Sequence, residues 1–293
     1  MDLTAALQEG GVTELVYMDT SAWTALLKRQ AGRSLRQVEG PEYLFSDCNL
    51  DQFAAASSYY VAKDLAKLAW RLSNQKRLAD HVEFMINEIA AFQKGRPTPS
   101  IYAEHPGFHP VWRVLRTTGT PREMKALADE TIRKAKKDFR AHLRADRATF
   151  RTFFQRLEEF GFTKPWKEML GELEREGYVG RHLSNLVCAE DRNRVVPDRT
   201  TVSQIPYRQL PATAAGTQYF LALRFRAAYE SGKDARPDYD DQTDFRHAYY
   251  AGIADVFVTE DSKMGDMLKN YVVTKRAEIL NLSAFLRRIG AAP

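Results

Sequence analysis

The stretch Asp241-Gln242-Thr243-Asp244-Phe245-Arg246-His247-Ala248-Tyr249-Tyr250-Ala251, continued by Ile253-Ala254-Asp255-Val256-Phe257-Val258-Thr259-Glu260-Asp261, decides the fold. Its first half predicts a short helix with Asp244 on the first turn and Ala248, Tyr249 and Ala251 along its length. Its second half predicts a buried strand, because Val256-Phe257-Val258 is an apolar, β-branched run of the kind that fills a central parallel strand. A helix of about ten residues rises roughly 15 Å, and a strand of about five residues returns roughly 16 Å. The strand therefore brings the chain back to the level where the helix began. Asp244 and Asp261 are expected near each other at the carboxyl edge of a sheet, where open α/β sheets bind ligands.

Working outward, Glu14-Leu15-Val16-Tyr17-Met18-Asp19 reads as a strand ending in an acid, and Thr20-Ser21-Ala22-Trp23 opens a helix that runs through Leu26, Leu27 and Lys28. If this strand lies parallel to the 256–259 strand, Asp19 joins Asp244 and Asp261 at one edge. Three carboxylates in a small volume repel one another unless they hold a hard divalent cation.

The chain has 293 residues, long enough for one large domain or two, and 44% of them are hydrophobic, enough for a proper core. Only two cysteines occur, Cys48 and Cys188, which excludes a disulfide framework and a four-cysteine zinc site. Met1-Asp2-Leu3-Thr4 lacks the basic start and long apolar run of a signal peptide, and nowhere are 18 consecutive residues apolar. A soluble, cytoplasmic protein with no membrane partner is expected.

Glu42-Tyr43-Leu44-Phe45-Ser46 reads as a second strand, and Asp47 to Gln52 leads into a helix whose apolar face includes Phe53, Tyr60, Leu65 and Leu68. Another helix covers Ala79 to Phe92. Residues 95–121 hold five prolines and read as loops or short turns, as does Pro197 to Gly216. Helices are expected over 164–190 and over Thr217 to Glu230. A final strand at Ala277 to Leu282 is followed by a closing helix from Ser283. Strands thus sit at both ends of the chain. The organisation implied is one α/β core, residues 12–64 and 213–293, interrupted by a mainly helical insertion, residues 65–212.

Within that insertion the net charge of +5 is concentrated: Arg113 to Arg156 holds 13 Lys and Arg against five acids. Phe139, Leu143, Phe150, Phe153 and Leu157 recur at spacings that mark a buried helical stripe. Arg133, Lys137, Arg140, Arg144, Arg147 and Arg151 repeat the same spacing, offset by about 100°. The bland reading of this ridge is a solvated helix face. Beside an acidic, cation-binding edge it reads instead as a surface that neutralises phosphate, with Arg140, Arg144, Arg147 and Arg151 as the nucleic-acid-binding candidates.

Taken together these residues resemble the PIN-domain nucleases. Met18-Asp19-Thr20-Ser21 is similar to that family's first strand and its acid, Asp244-Phe245-Arg246-His247-Ala248 to its later acid-bearing helix, and Val258-Thr259-Glu260-Asp261 to its Val-Thr-x-Asp element. Ile279 to Leu282 followed by Phe285-Leu286 fits its last strand and helix. The resemblance covers roughly 12–60 and 215–293. It implies a three-layer α/β/α core with a small parallel sheet and an acidic cluster binding Mg²⁺ or Mn²⁺. Asp19, Asp244 and Asp261 would be its catalytic and metal-binding residues, joined by Asp241, the extra acid of larger PIN-like proteins. The family's second acid falls on Gln52, so that Asp51 or Asp47 substitutes or the metal site is weak.

The activity implied is metal-dependent phosphodiester hydrolysis, as an endoribonuclease with RNA preferred over DNA. A toxin or defence effector would bring a neutralising protein partner, and a homo-oligomer is left open. The alternative is a catalytically inactive PIN-like module that binds RNA or protein. A haloacid-dehalogenase-type phosphatase wants a second Asp two residues after the first, and Ser21 stands there. Bland readings compete throughout. Asp19, Asp244 and Asp261 each suit a helix N-terminus, Glu260, Asp255 and Asp266 read as solvated, and His105, His109 and His247 as structural. Thr259 or Ser21 is expected to orient a carboxylate or a bound water.

Overall fold

The sheet follows from runs of residues that are apolar on both faces. In the computed structural model, which describes residues 13–36, 38–55, 58–97, 100–104, 109–116, 120–127, 129–130, 165–180, 183, 206–229 and 239–291, four strands form: β1 (Leu15–Met18), β2 (Glu42–Leu44), β3 (Val256–Val258) and β4 (Glu278–Leu280). Their order is β2-β1-β3-β4 and every pairing is parallel. Val16 lies opposite Val256 and Met18 opposite Val258, as the sequence reading of two adjacent parallel strands requires.

Alternation divides the strand residues between two cores. Tyr17, Leu44, Phe257 and Ile279 point to one side, where they pack with Phe84, Ile89, Met169, Leu173, Tyr219 and Met264. Val16, Met18, Tyr43, Val256 and Val258 point to the other, where they meet Trp23, Leu26, Phe53, Leu65, Trp112 and Phe285. Each fully buried side chain of this size stabilises the fold by about 1.5–3 kcal/mol relative to exposure. The result is a three-layer α/β/α architecture, as the family resemblance implies.

The described parts of 65–212 supply helices to both outer layers. His81–Gln93 and Trp166–Arg175 cover the Tyr17 face, while Pro110–Arg116 contributes Val111 and Trp112 to the other. Four local expectations are corrected. The 95–121 segment contains the Pro110–Arg116 helix. The helix expected from Thr217 begins at Pro211, a residue suited to the first helical position because its fixed φ is already helical and it has no N–H to leave unpaired. The helix after β2 is two helices, Asp47–Ala54 and Tyr59–Leu72, and Tyr60 is 72% exposed rather than part of the apolar face. Asp255, expected to be solvated, accepts the Leu15 N–H at 2.9 Å and pairs with Arg276 at 2.5 Å. Arg133 to Arg151, the basic ridge, lies outside the described residues. Among the described residues no helix is long and apolar enough to cross a membrane.

Candidate functional site

Each strand is followed closely by a helix, so the helix N-termini collect at the carboxyl edge of the sheet. Asp19 caps Thr20–Lys28, Ser46 caps Asp47–Ala54, Asp261 caps Ser262–Tyr271 and Asn281 caps Leu282–Arg288. From β1 the chain moves outward to β2 on one side, and β3 and β4 lie on the other, so the order reverses between β1 and β3. Open α/β sheets place ligands at such a reversal. Asp19 and Asp261 flank it.

The Asp19 carboxylate is 3% exposed and is built into the edge by both strands. Its backbone N–H donates to the Val258 carbonyl at 3.1 Å, continuing the β1–β3 ladder by one residue. Its Oδ1 accepts from the Ala22 N–H at 2.8 Å, and the Ser21 hydroxyl lies 2.8 and 3.0 Å from its two oxygens. The Thr259 hydroxyl donates to Oδ2 at 2.6 Å. Burial pushes the Asp19 carboxyl up to about 6, and the nearby Asp261 carboxylate adds to that push, against the three donors that favour the charged form.

Asp261 is the exposed member of the pair. Its Oδ1 accepts the Met264 N–H at 2.9 Å, and its own N–H donates to the Thr259 hydroxyl at 3.0 Å. Thr259 therefore links the two acids, as a residue expected to orient a carboxylate should. The Ser21 hydroxyl also accepts the Glu260 N–H at 2.8 Å. Glu260, expected to be solvated, accepts the Leu282 N–H at 2.8 Å, with Arg29 at 4.0 Å.

A cation suits this pair. An ionised carboxylate offers about four lone-pair sites, and Asp19 has three donors on them, with the single Ser21 hydroxyl shared between its two oxygens. No donor among the described residues takes Asp261 Oδ2, and no Lys or Arg pairs with either acid there. Mg²⁺ is commonly held by one or two carboxylates with water and phosphate completing the shell. As a helix cap alone Asp19 is costly, since Ser or Asn caps without burying a charge.

Asp244 is in the second turn of the Tyr239–Ala248 helix rather than its first, because the helix starts upstream of Asp241. It stands beside the start of the Asp47–Ala54 helix, where the Cys48 Sγ lies 3.6 Å from the Thr243 carbonyl. Burial pushes the Cys48 thiol up; Asp51, Asp80 and Asp244 reinforce that, against the Arg246 charge. The Asp241 side chain lies outside the described residues. Among the described residues no group of three or more His, Cys, Asp or Glu is arranged to hold a metal. Of the expected trio, Asp19 and Asp261 are joined through Thr259.

Asp51 belongs to a second cluster, in which the acids face basic side chains. Arg246 bonds Asp51 at 2.9 Å and lies 3.6 Å from Asp80, while His109 Nε2 lies 3.6 Å from Asp51 and 3.8 Å from Asp47. Arg77 pairs with Asp47. Burial alone raises the Asp80 carboxyl, but His81, Arg246 and the Val82 N–H outweigh it and hold it well below the carboxylate range. Sequence reading missed Asp80 and Arg77. An Asp immediately before the apolar 81–93 run is a helix-start signal that would have found the first.

Gln52, at the family's second-acid position, is engaged by a buried histidine. Its Oε1 lies 3.0 Å from His247 Nε2, and His247 Nδ1 lies 2.6 Å from the Tyr17 hydroxyl. A carbonyl oxygen accepts, so Nε2 carries the proton and Nδ1 accepts from Tyr17. Burial pushes His247 down to about 3, with Arg246 and His81 adding to it. The structural reading of His247 holds. No family model, curated protein or solved structure matches this chain.

Proposed function

We propose that the chain is a divalent-metal-dependent nuclease of the PIN type, acting on RNA in preference to DNA. The observation that carries this reading is the Asp19–Asp261 pair: two carboxylates joined through Thr259 at the sheet's reversal point, one buried and pushed up to about 6, neither with a cationic partner among the described residues.

In this reading Asp19 and Asp261 would hold the ion. The Ser21 and Thr259 hydroxyls and the Ala22 N–H fix the orientation of the Asp19 carboxylate. Asp19 must be deprotonated to act, which its position near 6 allows at neutral pH. When bound, such an ion lowers the pKa of a water to make it a nucleophile and stabilises the leaving oxygen. No side-chain nucleophile is required. The preference for RNA rests on the family resemblance, and a toxin or defence role with a neutralising partner follows only from it.

The second reading, a PIN-like module that binds without cutting, is favoured by a specific pair of contacts. Gln52 is tied to a neutral histidine and Asp51 to Arg246, so neither supplies a free charge in place of the second acid. The two readings part on one assay. A mixed pool of labelled RNA and single-stranded DNA is incubated with the full-length protein in Mn²⁺ or in EDTA. Cleavage in Mn²⁺ alone supports the nuclease and names its polymer; binding of the pool without cleavage favours the module.

A further inference from the structure

Arg246 lies two residues beyond Asp244 and is three-quarters buried, with 24% of its side chain exposed. One guanidinium nitrogen donates to Asp51 Oδ2 at 2.9 Å, and another lies 3.6 Å from Asp80 Oδ2. Asp51 comes from the Asp47–Ala54 helix and Asp80 caps His81–Gln93, so Arg246 ties the Tyr239–Ala248 helix to both. The remaining charges are also met from within. His109 faces Asp51 Oδ1 and Asp47 Oδ1, and Arg77 pairs with Asp47.

The contrast with Asp19 and Asp261 is direct, since no Lys or Arg pairs with either of them among the described residues. We infer that Arg246 is the built-in counter-ion of the Asp47–Asp51–Asp80 cluster, so that a divalent ion goes to Asp19–Asp261 and none to Asp51. This rests on the metal-dependent reading above. A second ion at Asp51 would have to displace a guanidinium already bonded there. It would also leave that buried cation beside a divalent charge. Gln52 offers no alternative, because its carbonyl oxygen is taken by His247.

The test is the number of Mn²⁺ ions bound by the full-length protein, counted from the loss of the free-ion paramagnetic resonance signal. Wild type is expected to bind one. Asp19→Asn removes it or weakens it at least about tenfold, whereas Asp51→Asn keeps one ion with an affinity changed less than about threefold. Arg246→Met, checked for folding by circular dichroism, gains a second ion. If that variant does not fold, wild type and Asp51→Asn decide the matter alone. Two ions in wild type with one lost in Asp51→Asn overturns the inference and leaves the nuclease reading standing. So does a folded Arg246→Met that still takes only one. Absence of any bound ion in wild type, together with no Mn²⁺-dependent cleavage, overturns both.

Discussion

The Thr259 hydroxyl donates to Asp19 Oδ2 at 2.6 Å while accepting the Asp261 N–H at 3.0 Å, so one small side chain couples the acids that end β1 and follow β3. Valine fits the same space without the donor. Thr259→Val is expected to destabilise the fold by about 1.5–3 kcal/mol at pH 7–8, the usual worth of a hydrogen bond to a charged group. It should also weaken Mn²⁺ binding about 10–100-fold. Denaturant titration and Mn²⁺ binding check the two halves. Equal stability of Thr259→Val and wild type would show that the hydroxyl does not hold the carboxylate.

Asp19 makes stability fall as pH rises in the metal-free protein. Its carboxyl is raised from 3.8 to about 6 on folding, so between those values the native state binds more protons than the unfolded chain. The stability present below about pH 4 is therefore lost as pH rises through 6, by about 3 kcal/mol if the whole displacement is expressed. Asp19→Asn has no such titration, and the wild-type-minus-variant difference isolates it. Melts from pH 3.5 to 7.5 in EDTA should show wild type losing ground steadily over that window. Added Mn²⁺ should remove the loss.

His247 has the opposite sign. It is 1% exposed and pushed down to about 3, so the unfolded chain takes up a proton below about 6.5 that the native state refuses. Its contribution is intact above that pH and declines as pH falls toward 3, by an amount on the order of several kcal/mol. Nitrogen-15 spectra should show a neutral, Nε2-protonated ring down to about pH 4, well below an ordinary histidine. An imidazolium signal near pH 6 would contradict the buried Tyr17–His247–Gln52 chain. Tyr17→Phe, which leaves His247 Nδ1 without its donor, should cost about 1–3 kcal/mol.

Two glycines should respond in opposite directions to the same substitution. A Cβ at Gly252 would collide with the Pro211 carbonyl and lie 2.9 Å from the Ala212 nitrogen, backbone atoms that cannot rotate away. Gly252→Ala is expected to lose about 3 kcal/mol or more, since the turn before β3 must move off the Pro211–Tyr229 helix. Gly265, inside the Ser262–Tyr271 helix, has only Thr259 Cγ2 at 3.5 Å from such a carbon. Gly265→Ala should gain up to about 1 kcal/mol through helix propensity. Chemical denaturation of both variants reads the contrast.

The sheet was legible because its strands are apolar on both faces, which leaves little choice for Val16-Tyr17-Met18 and Val256-Phe257-Val258 but a central parallel position. Asp19 and Asp261 were legible for a related reason: a residue that ends a parallel strand and starts a helix must lie at the carboxyl edge. Asp244 was harder, since its place depends on where its helix begins, and that helix begins at Tyr239, ahead of the stretch from Asp241 that reads as helix. The start at Pro211 was hidden by Pro-Ala-Thr-Ala-Ala-Gly, whose small residues look like a linker. They serve close packing instead, with Gly216 against the Tyr249 ring. The Arg246–Asp51 bond joins residues 195 apart in sequence, and no local pattern announces it.

The most direct measurement is cleavage of labelled RNA by wild type and Asp19→Asn side by side, each in Mn²⁺ and in EDTA. Asparagine keeps the shape and the cap but removes the charge. Wild type should cut only with Mn²⁺, and Asp19→Asn should lose at least about a hundredfold in rate while still folding, the scale on which removing a metal or its support lowers activity. Equal cleavage by the two proteins, or none by either, would contradict a metal-dependent site at Asp19.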